Sequence, residues 1–526
     1  MSFVYNSAIR FCFRIYEAWC SMGKICVFIL MFFTACSFFV DLRAQSPLPK
    51  AFEHSYQEIQ EAFKSRPTAD ESTGRETLLY EAVYRYDEKG SLSRSVRTIW
   101  NVRQKFLAEA GTLECRFSPW YQKQPVIEAR VFDRNGKVYE LAKDDSTVSS
   151  AQSNDPVVLS NDQIVRAALP GLQGGSIVEE RITVEEQMSY FPGGNYRIET
   201  LDSLVPMEFR SVEIDAPESL ALRVVFLGKE YPIQESRENG RIRKRIELKK
   251  VVPVDTQSFE SYLPKTIFPF SQVAICVGGS WDKIAEDYSK IVDGQLNGMD
   301  FAPLVKEVIP AEVTKPLEKM HESFNWIKKN VRYTGVALGQ ASIVPARPMQ
   351  LLARRFGDCK DQSTLLVGML REIGIEAHVA LVNASGVRAP YEHVPGLNAF
   401  DHAITAATVD GKQYWLDCTH LGSTLVNVPS YLQGKSVLIA AAGTRTLTSI
   451  PLESAEVNSV IEDKTLILQN GTISTLTSET HGGMYGVESR PWAMTKTVEQ
   501  NEKEVVEAIK KENPVANFKI LKQDDP

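Results

Sequence analysis

The chain has 526 residues, more than one hydrophobic core usually organises, so we expect about two to four domains. Its composition, with 43% hydrophobic and 24% charged residues, is that of a globular protein and excludes a largely disordered chain. A net charge of −7 argues against a nucleic-acid-binding protein, which normally presents a basic face.

Residues 1–45 predict a secretory signal peptide rather than part of a fold. An uncharged run of 16 residues, 25–40, follows a lysine and precedes the small residue Ala44. The run is shorter than the roughly 20 residues that a membrane-spanning helix needs, and a retained signal anchor is the alternative. We therefore expect an exported protein, periplasmic or associated with the outer envelope. Translation from Met22 and a lipid on Cys36 are further alternatives.

Four cysteines remain after such a cleavage: Cys115, Cys276, Cys359 and Cys418. They form no C-x-x-C pair, so the sequence predicts neither a zinc site nor a disulfide framework. A Gly-rich phosphate loop is also absent, and we expect no cofactor. A single cysteine in a distinctive sequence context then invites a catalytic interpretation.

Residues 46–75 predict a short helix and a polar linker, and residues 76–254 predict an all-β, β-sandwich-like domain. In the second zone, short alternating runs are separated by turn signals. Residues 125–132 and 138–141, for example, flank an Asn-Gly turn and predict a hairpin. A double-glycine turn leads into the strand predicted over 177–184.

Helical periodicity begins in the next zone, residues 280–440, for which we predict an α+β domain. Ser280 is the expected cap of a helix over 281–292 that ends at Gly294. Residues 450–526 begin with β-like alternation and end in a charged, helix-like tail. They predict a C-terminal β region, and a chain truncated at Pro526 is one interpretation of the tail. A second helix of the α+β zone is marked by one apolar face, formed by Leu317, Met320, Phe324, Ile327 and Val331.

The string Arg-Phe-Gly-Asp-Cys-Lys-Asp-Gln-Ser at 355–363 places Cys359 at the start of a helix. Asp358 is a good N-cap, and apolar residues then recur at helical spacing until Gly374. The free N–H groups and the positive dipole end of a first helical turn favour a thiolate and would stabilise an oxyanion. A small buried cysteine that merely packs is the alternative.

An Asp-Gly pair at 410–411 predicts a tight hairpin that sets Val409 opposite Lys412. Period-2 alternation then places His402 and Asp417 on the same face of that hairpin. They become diagonal neighbours, roughly 7 Å apart between backbones, within reach of an imidazole–carboxylate hydrogen bond. A slip of one residue in the turn would put Asp417 on the opposite face.

These residues predict a thiol catalytic triad, with Cys359 as nucleophile, His402 as base and Asp417 as the group that orients the base. The alternatives are a histidine at a solvated loop end and an aspartate that caps a turn. Four other histidines compete for the role of base, but none has an aspartate placed by a predicted hairpin: His321, His378, His393 and His420.

The strings at 355–366, 400–404 and 414–417 resemble the core of the transglutaminase-like superfamily. The resemblance implies a papain-like fold and a Cys-His-Asp triad. The Ala-Leu-Pro-Gly-Leu-Gln-Gly-Gly-Ser-Ile-Val-Glu string at 168–179 resembles a β module of unknown function that often precedes this core in exported bacterial proteins. Carried over position by position, the triad of the family is Cys359, His402 and Asp417.

Two features depart from the pattern of the family. Cys418 stands where a proline usually follows the triad aspartate, and we interpret it as part of the core rather than as a redox partner. The stretch 339–345, which is expected to line the cleft, lacks the aromatic residue that many relatives carry. We interpret Gln340 in that stretch as a surface glutamine, and a second oxyanion donor is the alternative interpretation.

Such a site predicts attack of a thiolate on a peptide or carboxamide carbonyl through an acyl-enzyme. A cysteine peptidase or amidase is our first expectation. A protein-crosslinking transglutaminase and a non-catalytic cell-envelope binding module are the alternatives. We expect a protein or peptide substrate, no nucleic acid, and contact with the envelope through the β domain.

Overall fold

The computed structural model describes residues 56–64, 75–151, 158–191, 194–254, 270–385, 392–512, 514–515 and 518–522. The predicted signal peptide and most of the predicted linker lie outside these residues. Helix α1, Tyr56–Lys64, precedes the first strand, and its Ile59 is buried against the sheet that follows. None of the helices in the described ranges has the length and apolar character needed to cross a membrane.

Strands dominate the first half of the described chain, with one short helix, α2, at Leu107–Ala110. The strands are β1 Arg75–Tyr86, β2 Leu92–Val102, β3 Thr112–Phe117, β4 Val126–Phe132, β5 Val138–Glu140, β6 Ser146–Ser150, β7 Val158–Ser160, β8 Gln163–Ala168, β9 Ile177–Glu185, β10 Asn195–Thr200, β11 Met207–Pro217, β12 Arg223–Leu227, β13 Ile233–Glu238, β14 Arg241–Val251 and β15 Gln272–Val277.

Eight of these strands form one sheet in the order β13-β14-β11-β1-β2-β9-β4-β5, in which β1 and β11 run parallel and the other neighbours antiparallel. Two three-stranded sheets, β3-β8-β6 and β10-β15-β12, share an apolar core with it. In that core, Val96 and Trp100 of the large sheet belong to one cluster with Val165 and Ile275 of the small sheets. This layered arrangement confirms the predicted β-sandwich-like fold.

The two β units predicted from turn signals are present. Strands β4 and β5 pair antiparallel with Phe132 opposite Val138, as the predicted hairpin requires. Gly136 in their turn has a φ of 82°, a conformation that a side chain would strain. Strand β9 spans the segment predicted after the double glycine, and its inward residues Val178 and Ile182 are buried.

The following region combines helices with a second sheet, as the predicted α+β domain requires. The sheet has the order β21-β20-β19-β22-β23, and its neighbours are all antiparallel. The helices are α3 Trp281–Leu296, α4 Ala302–Val308, α5 Pro316–Asn330, α6 Pro348–Arg354 and α7 Cys359–Glu372. The strands are β16 Arg332–Tyr333, β17 Gly335–Ala337, β18 Phe356–Gly357, β19 Glu376–Val382, β20 His402–Val409, β21 Lys412–Leu416, β22 Ser436–Ile439 and β23 Thr448–Ser449.

Helix α3 is longer than the sequence predicts. It continues through Gly294 to Leu296, and the left-handed glycine is Gly298, with a φ of 83°. Leu296 packs against the apolar core of the domain, which offsets the modest cost of a glycine within a helix. The predicted helix end at Gly294 was therefore wrong, because packing of Leu296 against the core extends the helix beyond the glycine.

Helix α7 is the most deeply buried helix of this domain and packs between the sheet and α5. Its predicted apolar positions Leu365 and Met369 are fully buried. On α5, Met320 and Phe324 are also fully buried, but Leu317 in the first turn is exposed. The predicted apolar face of α5 is thus correct along the helix and wrong at its start.

The described C-terminal residues form a hairpin followed by two helices. The hairpin consists of β24 Ser459–Gln469 and β25 Thr472–Gly482, joined by a turn at Asn470 and Gly471, both with positive φ. Helices α8, Gly483–Thr495, and α9, Val498–Glu512, follow it. Val487 of α8 is fully buried and lies against Gly422, shortly after Asp417 in the chain.

Candidate active site

Cys359 is the first residue of α7, where its half-buried side chain faces the sheet. Asp358 caps the helix, since its carboxylate accepts from the Asp361 N–H at 3.3 Å. The Asp361 carboxylate accepts in turn from the Asp358 N–H at 3.4 Å, which completes a capping box. The cysteine is thereby fixed at the end of the helix that carries partial positive charge.

Two more residues of the motif around Cys359 support the helix start. Lys360 is buried, and its ammonium group binds the Asp358 carboxylate and the Val336 carbonyl. The Asp361 carboxylate also accepts from the Ala346 N–H at 2.7 Å and from Arg354 at 2.5 Å. Burial raises the pKa of Asp361, and the nearby charge of Asp358 raises it further. The residues beside Cys359 therefore hold the turn before the helix in place.

The hairpin of β20 and β21 has the predicted register. Val409 lies opposite Lys412 and Thr405 opposite Leu416, with positive φ at both turn residues, Asp410 (51°) and Gly411 (75°). This is the backbone that an Asp-Gly turn favours. His402 begins β20, and Asp417 directly follows the last residue of β21. The register prediction is confirmed.

His402 and Asp417 form a buried pair. The distance from Nε2 of His402 to Oδ2 of Asp417 is 3.0 Å, and the two side chains are 11% and 0% exposed. Helix α7 is tied to the same strand, because the Ser363 hydroxyl donates to the Ala403 carbonyl at 3.1 Å. This hydrogen bond fixes α7, which carries Cys359, against β20, which carries His402.

Two residues that the sequence did not indicate also bind Asp417. The Tyr431 hydroxyl donates to Oδ2 at 3.0 Å, and Thr419 donates to Oδ1 through its N–H at 2.9 Å and its hydroxyl at 2.7 Å. The Thr419 contact is an Asx turn, in which the Asp417 side chain accepts from the N–H two residues later. An aspartate at this spacing could have predicted the contact from the sequence. Tyr431 carries no such signal.

The pair is charged at neutral pH. Burial alone would lower the pKa of His402, but the charge and hydrogen bond of Asp417 outweigh it and raise the pKa well above its usual value. A hydrogen bond with the Cys359 side chain raises it further. Burial would raise the pKa of Asp417, but His402 and Thr419 hold it well below the usual range. His402 is therefore hydrogen-bonded to the carboxylate and lies near the Cys359 thiol.

The competing histidines lie elsewhere in the domain. His321 is exposed on α5 beside Asn325, His378 contacts Glu376 on β19, and His393 is exposed. His420 stacks edge-on against the Tyr431 ring, 6.0 Å away. In the described part of the chain, none of these four is hydrogen-bonded to Cys359 or to Asp417.

Cys418 and Gln340 lie as the sequence analysis preferred. Cys418 is 2% exposed within the apolar core of the domain, and burial raises the pKa of its thiol. Gln340 is exposed on the single 3₁₀ turn Gly339–Ser342. The described residues include no cluster of side chains arranged to hold a metal ion.

Comparison with known families agrees with this geometry. Residues 305–418 match the transglutaminase-like superfamily, and residues 88–255 match a domain of unknown function, DUF3857. The chain therefore contains a transglutaminase-like domain that is preceded by a DUF3857 domain. The two matched segments contain the strings from which the sequence analysis drew the same resemblance.

A solved structure has the same fold. A proposed protease from Parabacteroides distasonis ATCC 8503 superposes with a TM-score of 0.56 at 17% identity, over 72% of each chain. A proposed cysteine protease from Cytophaga hutchinsonii covers 70% of this chain and 92% of its own, with a TM-score of 0.22 and 12% identity. No curated protein matches the sequence. Over the matched part, the chain therefore shares the fold of the Parabacteroides structure.

Proposed function

We propose that this chain is a cysteine peptidase or amidase, in which Cys359, His402 and Asp417 act as nucleophile, base and orienting carboxylate. The observation that carries the proposal is the position of His402, which is bonded to buried Asp417 at 3.0 Å and lies near the Cys359 thiol. A histidine held between a carboxylate and a helix-capped thiol is the arrangement that activates sulfur for attack on a carbonyl.

The reaction uses these three groups in a fixed order. His402 holds the proton taken from the thiol as the imidazolium of an ion pair, and the Cys359 sulfur bonds to the carbonyl carbon of the substrate. The C–N bond breaks as His402 returns the proton to the leaving amine, which leaves a thioester. Water, deprotonated by His402, then attacks the thioester carbon and releases the acid and the free thiol.

The charge that develops on the carbonyl oxygen needs hydrogen-bond donors. The first-turn N–H of Cys359 points out of α7 and has no acceptor among the described residues, whereas the N–H groups of Asp361 and Gln362 are bonded to Asp358. We assign the Cys359 N–H as one oxyanion donor. Its position at the helix start adds the favourable helix dipole.

The acceptor that resolves the thioester decides the reaction class. Amine in place of water would make the enzyme a transglutaminase, and both outcomes use the same three side chains. Purified protein is therefore incubated with a carboxamide-bearing peptide in the presence and absence of a primary amine. We expect the free acid as the product in both incubations. If the peptide is instead joined to the added amine as a new amide, the enzyme is a transglutaminase and the proposed hydrolysis is refuted.

The assignment of the nucleophile is tested by Cys359→Ala against a matched change, Cys115→Ala, in the N-terminal core. Only the first should abolish turnover, because Cys115 is buried in the β-sandwich-like domain. Turnover that survives Cys359→Ala would refute the thiol mechanism. Export is a separate proposal, tested by finding whether the mature protein begins after residue 45 when it is isolated from the cell envelope.

A further inference from the structure

The N-terminal domain reaches the turn that precedes Cys359. Its strand β7 pairs in parallel with β17, a strand of the catalytic domain. On the same β17, the Val336 N–H donates to the carboxylate of the helix cap Asp358 at 3.3 Å. Just beyond β17, the Gly339 N–H donates to the Asn161 side chain at 3.1 Å. A single short strand thus separates the N-terminal domain from the nucleophile helix.

Three aromatic rings of the N-terminal domain meet at this junction. The ring centroids of Trp120, Tyr121 and Tyr190 are 4.8 to 5.8 Å apart, and we call them the aromatic cluster. Trp120 and Tyr190 pack against the core of the catalytic domain. Gly339 has a φ of 59°, and a Cβ on it would lie 3.8 Å from that of Trp120. The aromatic cluster therefore covers the turn that follows β17.

Tyr288 connects the aromatic cluster with the nucleophile. Its buried hydroxyl donates to the Ile343 carbonyl at 3.1 Å. Burial raises the pKa of Tyr288 most, and the charge of Cys359 comes next, with a smaller contribution from Tyr190. Trp120, Tyr190 and Cys359 all pack, partly buried, against the same apolar core. The cap Asp358 binds Val336, and Gly339, three residues further on, lies against Trp120, so a short extended peptide has the length to reach from Cys359 to the aromatic cluster.

The polar tips of the aromatic cluster are available to a ligand. Each ring is half-buried, yet the Trp120 N–H and the Tyr121 and Tyr190 hydroxyls have no hydrogen-bond partner within the described ranges. Tryptophan and tyrosine usually bond these groups when the ring is buried. An apolar platform with a few free donors is typical of a site that binds a ligand.

We propose that the aromatic cluster is a substrate subsite, which accepts an aromatic or large apolar side chain of a peptide next to the carbonyl that Cys359 attacks. This inference rests on the proposed function. The side chain would stack on the rings, and the free donors would bind the peptide carbonyls beside it. The aromatic residue that the sequence lacks at 339–345 is then supplied by the N-terminal domain.

The test compares two irreversible peptide probes, acetyl-Phe-vinyl sulfone and acetyl-Gly-vinyl sulfone, on the full chain. The rates of Cys359 modification are followed by mass spectrometry. We expect the Phe probe to react about tenfold faster than the Gly probe. Trp120→Ala and Tyr190→Ala should each bring this ratio close to one, whereas Trp120→Phe should keep most of it. Tyr231→Ala, which changes a ring of the N-terminal domain away from this junction, should leave the ratio unchanged.

Iodoacetamide separates failure of the subsite from failure of the enzyme. Because this reagent is small, its reaction with Cys359 depends on His402 and not on the aromatic cluster. If the reaction depends on His402 but wild type does not prefer the Phe probe, or the preference survives both alanine variants, the subsite is refuted and the proposed function stands. If the iodoacetamide reaction does not depend on His402, the proposed function itself is refuted.

Discussion

Tyr431 donates its phenolic hydrogen to the same Asp417 oxygen that binds His402, with 3.0 Å between the two oxygens. Tyr431 follows a loop of irregular structure after the triad strand, and its side chain is partly exposed. The hydroxyl therefore holds Oδ2 from a separate segment of the chain, while Thr419 holds Oδ1 from within its own turn. Asp417 has little freedom to rotate away from the histidine.

We expect Tyr431→Phe to slow turnover by about tenfold, since one hydrogen bond to a charged group stabilises by roughly 1.5 kcal/mol. The loss should appear in kcat rather than in KM, because Tyr431 acts through Asp417. Steady-state kinetics on a peptide amide measure both. Tyr485→Phe, a change on exposed surface of α8, is the control and should leave kcat unaltered. An equal loss in both variants would contradict the positioning role.

The sequence predicts the catalytic hairpin well because its two determinants are local. The Asp-Gly turn imposes the register, and period-2 alternation then brings His402 and Asp417 to one face. The start of α7 is equally local, since the cap Asp358 and the apolar spacing lie within one segment. These parts of the site needed no knowledge of the rest of the chain.

The remaining parts of the site depend on contacts between distant segments. Tyr431 reaches Asp417 from a loop that has no hydrophobic periodicity, so no sequence pattern predicts this hydrogen bond. Trp120 and Tyr190 meet the turn at Gly339 only because the N-terminal domain packs there. The end of α3 was mispredicted for the same reason, since packing of Leu296 overrides the stop signal of Gly294.

The His402–Asp417 pair makes stability depend on pH. A raised pKa means that His402 contributes fully below its ordinary value of 6.5 and loses that contribution as pH rises through the raised value. Asp417, with a lowered pKa, contributes above its ordinary value of 3.8 and loses the contribution as pH falls through the lowered value. The pair is therefore most stabilising in weakly acidic solution.

His402→Ala should cost about 3 kcal/mol of unfolding free energy near pH 6, and less at pH 10, because it leaves a buried carboxylate without its cation. Urea unfolding of both proteins across this range gives the difference. His378→Ala is the control, since burial lowers the pKa of His378 and its contribution does not fade as pH rises. A difference for His402→Ala that stays constant with pH would contradict the charged pair.

Lys328 supports the loop after the triad aspartate with a buried ammonium group. It donates to the Leu421 carbonyl at 3.1 Å and to the Ser423 carbonyl at 2.6 Å, and burial lowers its pKa to about 8. Between that value and the ordinary 10.5, the unfolded chain binds a proton that the folded chain does not. The contribution of Lys328 to stability should therefore rise with pH in this window.

The change Lys328→Met removes this dependence. The melting temperature of wild type minus that of the variant should increase from pH 8 to pH 10, as measured by differential scanning calorimetry at matched ionic strength. Lys329→Met, the exposed neighbour on α5, should give a flat difference. A flat difference for Lys328→Met as well would show that the buried lysine keeps its proton throughout.

Two helical glycines should respond in opposite directions to the same substitution. A Cβ on Gly368, in the middle of α7, would lie 2.2 Å from a ring carbon of Phe301, which is itself buried. A Cβ on Gly294, an exposed position near the end of α3, would meet nothing within 4 Å. The packing around the two positions therefore decides the sign of the effect.

Gly294→Ala should stabilise the protein by about 1 kcal/mol, because alanine loses less backbone entropy in a helix. Gly368→Ala should destabilise it by about 2 kcal/mol, since Phe301 or the helix must move and that strain exceeds the gain in helix propensity. Denaturant unfolding of both variants beside wild type gives the two signs. Stabilisation by Gly368→Ala would mean that Phe301 has room to turn aside, and that the contact with α7 is loose.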